Sequence, residues 1–200
     1  MLKMDVRYLL LTLCLVSGNA WSAAIGMPEQ AGRWGYSLGV AYATVDDPDA
    51  TTRHDWVLRP LNLVYTDDWR YNTRYWGELF YQESALDAAP GKIGQEARQL
   101  GARFSLQKSV LLSPAIMPWL GAGLQLSYDQ FHKRHAVDGD GYLIGTYPDR
   151  DGLDAALLLN VVLERRIAPH WDGALKLEQA VSLTEGVSEF VISAVLLYRY

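Results

Sequence analysis

The stretch Glu189–Tyr200, EFVISAVLLYRY, decides the fold that this sequence predicts. Bulky apolar and aromatic residues fall on every second position up to Tyr200, and the positions between them hold Val191, Ser193 and Arg199. A repeat of two residues is the signature of a β-strand, because successive side chains point to opposite faces. The stretch therefore predicts a strand with one apolar face and one face that combines apolar and polar residues.

The same alternation recurs along the chain and predicts an all-β fold of about eight strands, each roughly ten residues long. The predicted strands cover residues 33–44, 54–65, 71–82, 98–108, 116–129, 153–164, 171–183 and 189–200. In the second strand the apolar phase changes at Pro60, which predicts a β-bulge there. We expect a tight turn at residues 66–70 and a long connection over residues 130–151.

Composition limits the class of protein. Of the 200 residues 50% are hydrophobic, yet the mean hydropathy is only −0.05, so apolar residues are interleaved with polar ones. The net charge of −5 argues against a nucleic-acid partner, which requires a clustered basic face. The 12 Tyr and 7 Trp outnumber the 4 Phe. Amphipathic rings of this kind are typical of an interface between an apolar phase and water.

Residues 1–24 have the pattern of an export signal peptide. Lys3 and Arg7 precede an apolar run over residues 8–16 that is too short to span a bilayer. Cleavage is expected after residue 20, 22 or 24, and a retained membrane anchor is the alternative. Cys14, the one cysteine, lies inside this run, so the exported domain, residues 25–200, is expected to have no disulfide.

Two further features favour a closed transmembrane barrel over a soluble sandwich or a lipocalin-like barrel. Connections after odd-numbered strands are mostly long and those after even-numbered strands are short, as in outer-membrane barrels. Aromatic residues also gather at the strand ends in two predicted girdles. The periplasmic girdle would hold Trp34, Tyr65, Trp69, Tyr71, Trp171, Tyr198 and Tyr200, and the outer girdle Tyr42, Trp56, Tyr81 and Tyr128. Trp76 and Trp119 have the inward phase and do not fit either girdle.

The export signal, the alternating strands and the final FVISAVLLYRY resemble the small Gram-negative outer-membrane barrels of the OmpA membrane domain, OmpX and OmpW type. Residues 57–69, VLRPLNLVYTDDW, are also similar to strands of the MipA/OmpV group. The resemblance implies an up-and-down meander of eight strands with both termini in the periplasm. It also implies that Tyr200, Tyr198 and Leu196 form a signal read by the barrel-assembly machinery.

Charged residues with the inward phase form the first candidate site. An eight-stranded barrel is just wide enough for side chains to fill, and charges in it must be paired or hydrated. We therefore expect a mutually paired interior network rather than a conduction path. Its predicted members are Arg74, Glu78, Arg103, Asp154, Glu164, Asp172, Lys176, Glu178 and Arg199.

The stretch DQFHKRHAVDGD forms the second candidate site, at the outer rim. A nucleophilic mechanism requires a hydroxyl beside a histidine that a carboxylate orients, and His132, His135, Asp129 and Ser127 are the candidates. Solvated loop residues are the favoured interpretation. No cofactor or metal is expected: two histidines in a loop are weak evidence for a metal, and the DGDG at residues 138–141 lacks the ligand spacing of an EF-hand.

Three functional hypotheses follow. The favoured one is a structural or surface-interaction role in the outer membrane. The others are a lipid-modifying enzyme of the lipid A deacylase or acyltransferase type with its site at the rim, and a narrow pore for small solutes. The expected partners are outer-membrane lipid and lipopolysaccharide, whose phosphates could meet Lys133, Arg134 and Arg150, and the assembly machinery during biogenesis. The sequence leaves the oligomeric state open.

Overall fold

The structure, a computed structural model, describes residues 32–45, 53–70, 72–110, 117–184 and 186–200. The predicted export signal, Cys14 and the predicted girdle residue Tyr71 lie outside the described residues. No helix in the described part of the chain is long and apolar enough to cross a membrane.

Strands account for most of the described chain, as the alternation predicts. They are β1 (Arg33–Val45), β2 (Arg53–Arg70), β3 (Thr73–Leu86), β4 (Gly94–Ser109), β5 (Met117–Val137), β6 (Leu143–Thr146), β7 (Arg150–Ala168), β8 (Trp171–Ser182) and β9 (Val187–Arg199). All the pairings between these strands are antiparallel.

The sheet closes into a barrel of eight strands. Strand β1 pairs with β2 on one side and with β9 on the other, and β4 pairs with β5, so the circuit leaves no edge. Only the short β6 stands outside the circuit, where it pairs with the far end of β5. The β1–β9 seam is in register from Arg33 opposite Arg199 to Val45 opposite Val187, and this pairing of the first and last strands closes the predicted barrel.

The outer face of the barrel is an apolar belt between two aromatic levels. At one level Trp34 lies opposite both Tyr65 and Tyr198, with 4.6 Å between the Trp34 and Tyr65 ring centroids. At the other level Tyr42 lies opposite Trp56, with centroids 5.2 Å apart. From Trp34 to Tyr42 the strand covers nine residues, which agrees with the about 9–11 residues that a tilted strand needs to cross the hydrocarbon core.

The predicted bulge at Pro60 is confirmed. The β1–β2 register shifts so that Ser37 lies opposite Asn62 and Gly39 opposite Arg59, which leaves two residues of β2 facing one of β1. The extra residue returns Trp56 and Leu63 to the same outer face. The predicted turn at residues 66–70 is wrong: β2 continues through Arg70, and the turn includes Asn72, which has a positive φ of 57°.

The predicted long connection over residues 130–151 is largely a β-hairpin. Strand β5 extends to Val137, β6 pairs with it, and β7 begins at Arg150. We call residues 130–151 the outer hairpin, after the side of the membrane on which the sequence predicts it. Its regular structure was missed because an irregularity interrupts the alternation: Lys133 has a φ of 53°, and the β4–β5 register shifts between Gly94 and Glu96.

The two tryptophans that fit neither girdle lie inside the barrel. Trp76 and Trp119 are buried and pack in one cluster with Val64, Val162 and Leu197. Their inward phase therefore agrees with the alternation of their strands, and the rings fill interior space.

Close approach of neighbouring strands yields the first prediction. A Cβ built on Gly123 would lie 1.9 Å from the carbonyl oxygen of Phe104, whereas one on Gly152 would meet nothing within 4 Å. Overpacking of this kind costs about 1–3 kcal/mol. We expect Gly123→Ala to lower the free energy of unfolding by that amount in urea titrations of the liposome-folded protein. Gly152→Ala is the control; equal stability of the two variants would contradict the packing.

Candidate functional site

Polar and charged side chains fill much of the barrel interior and form three groups. The inner cluster, at the end that holds Arg33 and Arg199, consists of Arg33, Arg74, Glu164, Asp172 and Arg199. The central cluster consists of Arg59, Glu78, Arg103, Lys176, Glu178 and Glu189. The mouth group, towards the outer hairpin, consists of Ser127, Asp129 and Asp154.

The inner cluster is built around two carboxylates. Glu164 pairs with Arg33 and, at 2.5 Å, with Nη1 of Arg74. Asp172 receives Arg33 Nη1 at 3.2 Å and Arg199 Nη2 at 2.7 Å. Strands β1, β3, β7, β8 and β9 supply these residues, so the cluster links strands that are not all neighbours in the sheet.

The two interior tryptophans hold Arg74 in place. The Arg74 guanidinium carbon lies 4.0 Å from the Trp119 ring centroid and 5.0 Å from that of Trp76. Arg74 Nε also donates to Gln107 Oε1 at 2.8 Å. Cation–π contacts of this kind are worth about 2 kcal/mol when desolvated, which gives the tryptophans a reason to face inward.

The central cluster alternates charges of opposite sign. Lys176 Nζ lies 2.7 Å from Glu78 and 3.2 Å from Glu178. Arg103 reaches Glu178 at 3.4 Å and Glu189 at 2.5 Å, and Glu189 also pairs with Arg59. Trp76 Nε1 donates to Glu78 at 2.8 Å.

Both clusters come close to charge balance within a space shielded from solvent. The central cluster combines Arg59, Arg103 and Lys176 with three glutamates. In the inner cluster the three arginines face Glu164 and Asp172, and Asp68 lies near enough for its charge to act on Arg33 and Arg74. Desolvating an ion costs several kcal/mol, so such charges are tolerated only where each has an opposite partner.

Of the nine predicted interior residues, eight form the ion pairs just described and one does not. Asp154 accepts hydrogen bonds from Ser182 Oγ, at 2.7 Å, and from Thr184. The sequence analysis missed Arg33, Arg59 and Glu189. Arg33 and Glu189 extend the inward phase of their strands by one step, so the alternation could have found them, whereas the bulge after Arg59 obscured its phase.

The structure does not bring the four rim candidates together. Ser127 and Asp129 are buried and face the interior, whereas His132 Nδ1 lies 2.9 Å from Asp149 Oδ2 and His135 Nδ1 lies 2.8 Å from the Lys133 carbonyl oxygen. The other histidines, His54 and His170, lie against Thr44 and the Arg199 carbonyl oxygen. No described histidine is therefore bonded to Ser127.

The basic residues of the outer hairpin contact other groups of the protein at this end of the barrel. Lys133 Nζ lies 2.6 Å from Glu96, and this hydrogen bond lowers the pKa of Glu96. Asp149 likewise has a lowered pKa because His132 hydrogen-bonds to it. The Arg134 guanidinium donates to the Pro148 carbonyl oxygen at 2.8 Å, and that of Arg150 lies 4.9 Å from the centre of the Phe131 ring.

The DGDG motif forms the turn of the outer hairpin. Asp138 Oδ1 accepts the backbone N–H groups of Asp140, at 3.0 Å, and of Tyr142, at 2.8 Å, and Gly141 has a φ of +85°. The aspartate and glycine are thus used for turn geometry. Within the described residues, no group of three or more histidine, cysteine or acidic side chains is placed to hold a metal ion.

Among the comparisons with known proteins, only solved structures match this chain. No family model matches the chain, and no curated protein matches its sequence. The structure of Ail, the attachment invasion locus protein of Yersinia pestis, is 12% identical, with a TM-score of 0.52 over 85% of this chain and 99% of that one. Neisserial surface protein A is 14% identical, with a TM-score of 0.53 over 84% and 97%.

Together with the closed sheet and the exposed apolar belt, these likenesses define the class. The chain is a small outer-membrane β-barrel, closed by eight antiparallel strands. Identity this low shows the fold alone, so neither the subfamily nor a particular activity follows from it.

The inner cluster gives the second prediction. Glu164→Gln leaves Arg33 and Arg74 without their shared carboxylate in a buried setting, and breaking such pairs costs about 3–5 kcal/mol. We expect a loss of this size in urea titrations of the liposome-folded protein. Glu83→Gln breaks the exposed pair with Arg98 and should cost less than about 1 kcal/mol. Similar losses for the two variants would show that the interior pairs do not stabilise the barrel.

Proposed function

We propose that this protein is a non-enzymatic outer-membrane barrel that contacts another surface through its outer hairpin. In this proposal residues 1–24 are removed on export and the termini face the periplasm, which directs the outer hairpin away from the cell. The observation that carries the proposal is the exposed apolar tip of the hairpin.

The tip presents three consecutive large apolar side chains well beyond the aromatic level of Tyr128. Tyr142 is 73% exposed, Leu143 64% and Ile144 66%. Exposed apolar residues next to one another mark interaction sites more often than isolated ones do. The hydrogen bonds of Asp138 hold the turn that displays them, so a partner would meet a preformed surface at a reduced entropic cost.

The partner we propose is an apolar surface rather than a polyanion. Ail has been solved in complex with the heparin analogue sucrose octasulfate, with a TM-score of 0.50 to this chain. In this chain the outer hairpin carries four aspartates, Asp138, Asp140, Asp149 and Asp151. Its three cations, Lys133, Arg134 and Arg150, already contact groups of the protein, so the hairpin is poorly suited to a sulfated ligand. The proposal therefore does not extend that ligand to this chain.

A filled interior is the second part of the proposal. The inner and central clusters cross the barrel with paired charges. Trp76 lies between Arg74 and Glu78 along β3, and Phe80 packs against the central cations Arg59 and Arg103. An ion entering this space would have to displace existing ion pairs. We accordingly favour a plugged interior over the narrow-pore hypothesis.

Two partners of the outer-membrane setting complete the proposal. Lipid and lipopolysaccharide would surround the apolar belt. During biogenesis the assembly machinery would read the end of β9, where Tyr198 and Leu196 face outward and Tyr200 follows the strand.

The plugged interior predicts no stable conductance in planar bilayers. We expect the purified barrel to give none of the sustained steps that a water-filled channel gives. The variant Arg103→Ala with Lys176→Ala removes two central cations and should raise leak events above the wild-type level. Stable unitary conductance of the wild-type protein would contradict the plug.

The surface-interaction role predicts that adhesion depends on the hairpin tip. The chain is expressed in a Gram-negative host, and surface display is checked with an antibody. We then expect binding to epithelial cells and cell–cell aggregation above the level of an empty vector. Replacing Tyr142, Leu143 and Ile144 with Ser should weaken binding more than tenfold, because a tenfold change corresponds to about 1.4 kcal/mol and each buried apolar side chain contributes about 1.5–3 kcal/mol.

The control for the tip is Leu183→Ser. Leu183 is also an exposed leucine, in the β8–β9 connection at the same end of the barrel, and its replacement should leave adhesion unchanged. Wild-type cells that adhere no better than vector controls, or equal losses in the two variants, would contradict the proposed role of the tip.

A further inference from the structure

The exposed cations at the two ends of the barrel differ in their partners. At the end with the outer hairpin, Arg98 Nε lies 2.9 Å from Glu83 and Lys133 Nζ lies 2.6 Å from Glu96. At the opposite end Arg165, in the last turn-ward part of β7, is exposed. Within the described part of the chain no acidic side chain pairs with it. Arg165 is therefore available to a ligand from outside the chain.

Alternation along β7 places Arg165 on the outward face, just beyond the apolar belt. Leu163 and Ile167, two residues before and after it, are exposed, whereas Glu164 is buried in the inner cluster. An arginine in such a position lays its methylene groups along apolar surface and extends its guanidinium group towards water. In a membrane this is the layer of the lipid headgroups.

The outward surface beside Arg165 is indented at Gly173. This glycine lies directly opposite Arg165 in the β7–β8 pairing and opposite Leu196 in the β8–β9 pairing. A Cβ built on Gly173 would meet, among the described residues, only two side-chain atoms of Ile167, at 3.4 and 3.7 Å. We call this indentation the Gly173 notch.

Apolar and aromatic side chains border the Gly173 notch along β8. Trp171 and Leu175, two residues before and after the glycine, are both exposed. The Trp171 ring packs edge-on against Tyr198 of β9, with 5.0 Å between the ring centroids. Diagonal neighbours on adjacent strands are about 7–8 Å apart, so Trp171 is within reach of the long Arg165 side chain. The site thus combines an unpaired cation, an apolar notch and an aromatic ring.

We propose that Arg165 binds the phosphate group of an anionic phospholipid such as phosphatidylglycerol, with one acyl chain of the lipid in the Gly173 notch. Arginine matches phosphate oxygens through two parallel hydrogen bonds, and tryptophan is typical of the headgroup layer. A net negative headgroup is favoured over a choline headgroup, because the choline cation already neutralises its own phosphate. The lipid would come from the periplasmic leaflet, an assignment that rests on the proposed orientation of the termini.

Lys108 provides a control for charge alone. It is exposed on the outward face of β4 at the same end of the barrel, and it has no acidic partner among the described residues. Its opposite neighbours are Thr73 and Leu120 rather than a glycine. A lipid that is attracted only by positive charge would bind Lys108 as well as Arg165.

Gly77 provides a control for the notch alone. It lies on the outward face of β3, where an added Cβ would meet, among the described residues, only backbone oxygens at 3.8 and 4.0 Å. Its opposite neighbours are Tyr65 and Phe104, which carry no positive charge. A lipid that only fills apolar gaps would bind there equally well.

The test measures lipid binding by native mass spectrometry of the purified full barrel, released from detergent micelles. The detergent-folded protein is titrated with phosphatidylglycerol and, separately, with phosphatidylcholine of the same acyl chains. We expect one phosphatidylglycerol to bind about tenfold more tightly, because it gains a charge-assisted pair. Glycerol 3-phosphate, which has the phosphate without acyl chains, should not displace the lipid at millimolar concentration.

The variants separate charge from shape, and each is first checked for folding by its heat-modifiable migration on gels. Arg165→Gln should lower the affinity for phosphatidylglycerol about tenfold, to that for phosphatidylcholine. Gly173→Leu fills the notch and should weaken the binding of both lipids, although it keeps the cation. Lys108→Gln and Gly77→Leu should stay within about twofold of the wild type, as surface changes away from a site do.

Four outcomes would overturn the proposal. Two concern the wild type: equal affinity for the two lipids, or displacement of the lipid by glycerol 3-phosphate. The others are equal losses in Arg165→Gln and Lys108→Gln, which would show attraction by surface charge only, and wild-type affinity in Gly173→Leu. The measurement uses the purified barrel, so its failure would leave the role of the hairpin tip untouched. Failure of the adhesion experiment would likewise leave the lipid site untouched.

Discussion

The backbone hydrogen bonds of the β1–β9 seam are the constraint on which the rest of the structure depends. Hydrocarbon offers no partner to an amide or a carbonyl group, so a sheet within it must have no edge. The seam joins the first and last strands in register along its whole length, and it thereby fixes which faces of all eight strands point to lipid and which point inward.

Closure of the sheet creates a narrow interior and forces the charged side chains on the inward faces to pair with one another. The inward faces carry arginine, lysine and carboxylate side chains that would be costly in isolation, and the inner and central clusters pair them across the barrel. Replacing a buried ion pair with apolar residues often does no harm to stability. A polar interior that interlocks β1, β3, β7 and β8 is therefore better understood as fixing one register of the closed sheet.

The end of the barrel that carries the outer hairpin differs from the part within the apolar belt. There an apolar interior cluster with Val57 and Phe131 replaces the ion pairs, and β5 and β6 extend into the outer hairpin. Departures from local consistency of this kind are concentrated at functional sites in natural proteins. The proposal for the hairpin tip rests on such a departure.

The sequence by itself determined the strand periodicity, the bulge at Pro60, the belt and its girdles, because alternation is a local property that each strand carries alone. It also identified most of the interior charges by phase. Only the tertiary structure decided the partners of these charges, since Arg33 contacts Glu164 across 131 residues of chain. The tertiary structure also placed Trp76 against Arg74. It likewise separated His132 from Ser127. Those relations depend on shear, closure and irregular residues such as Lys133, which no two-residue repeat encodes.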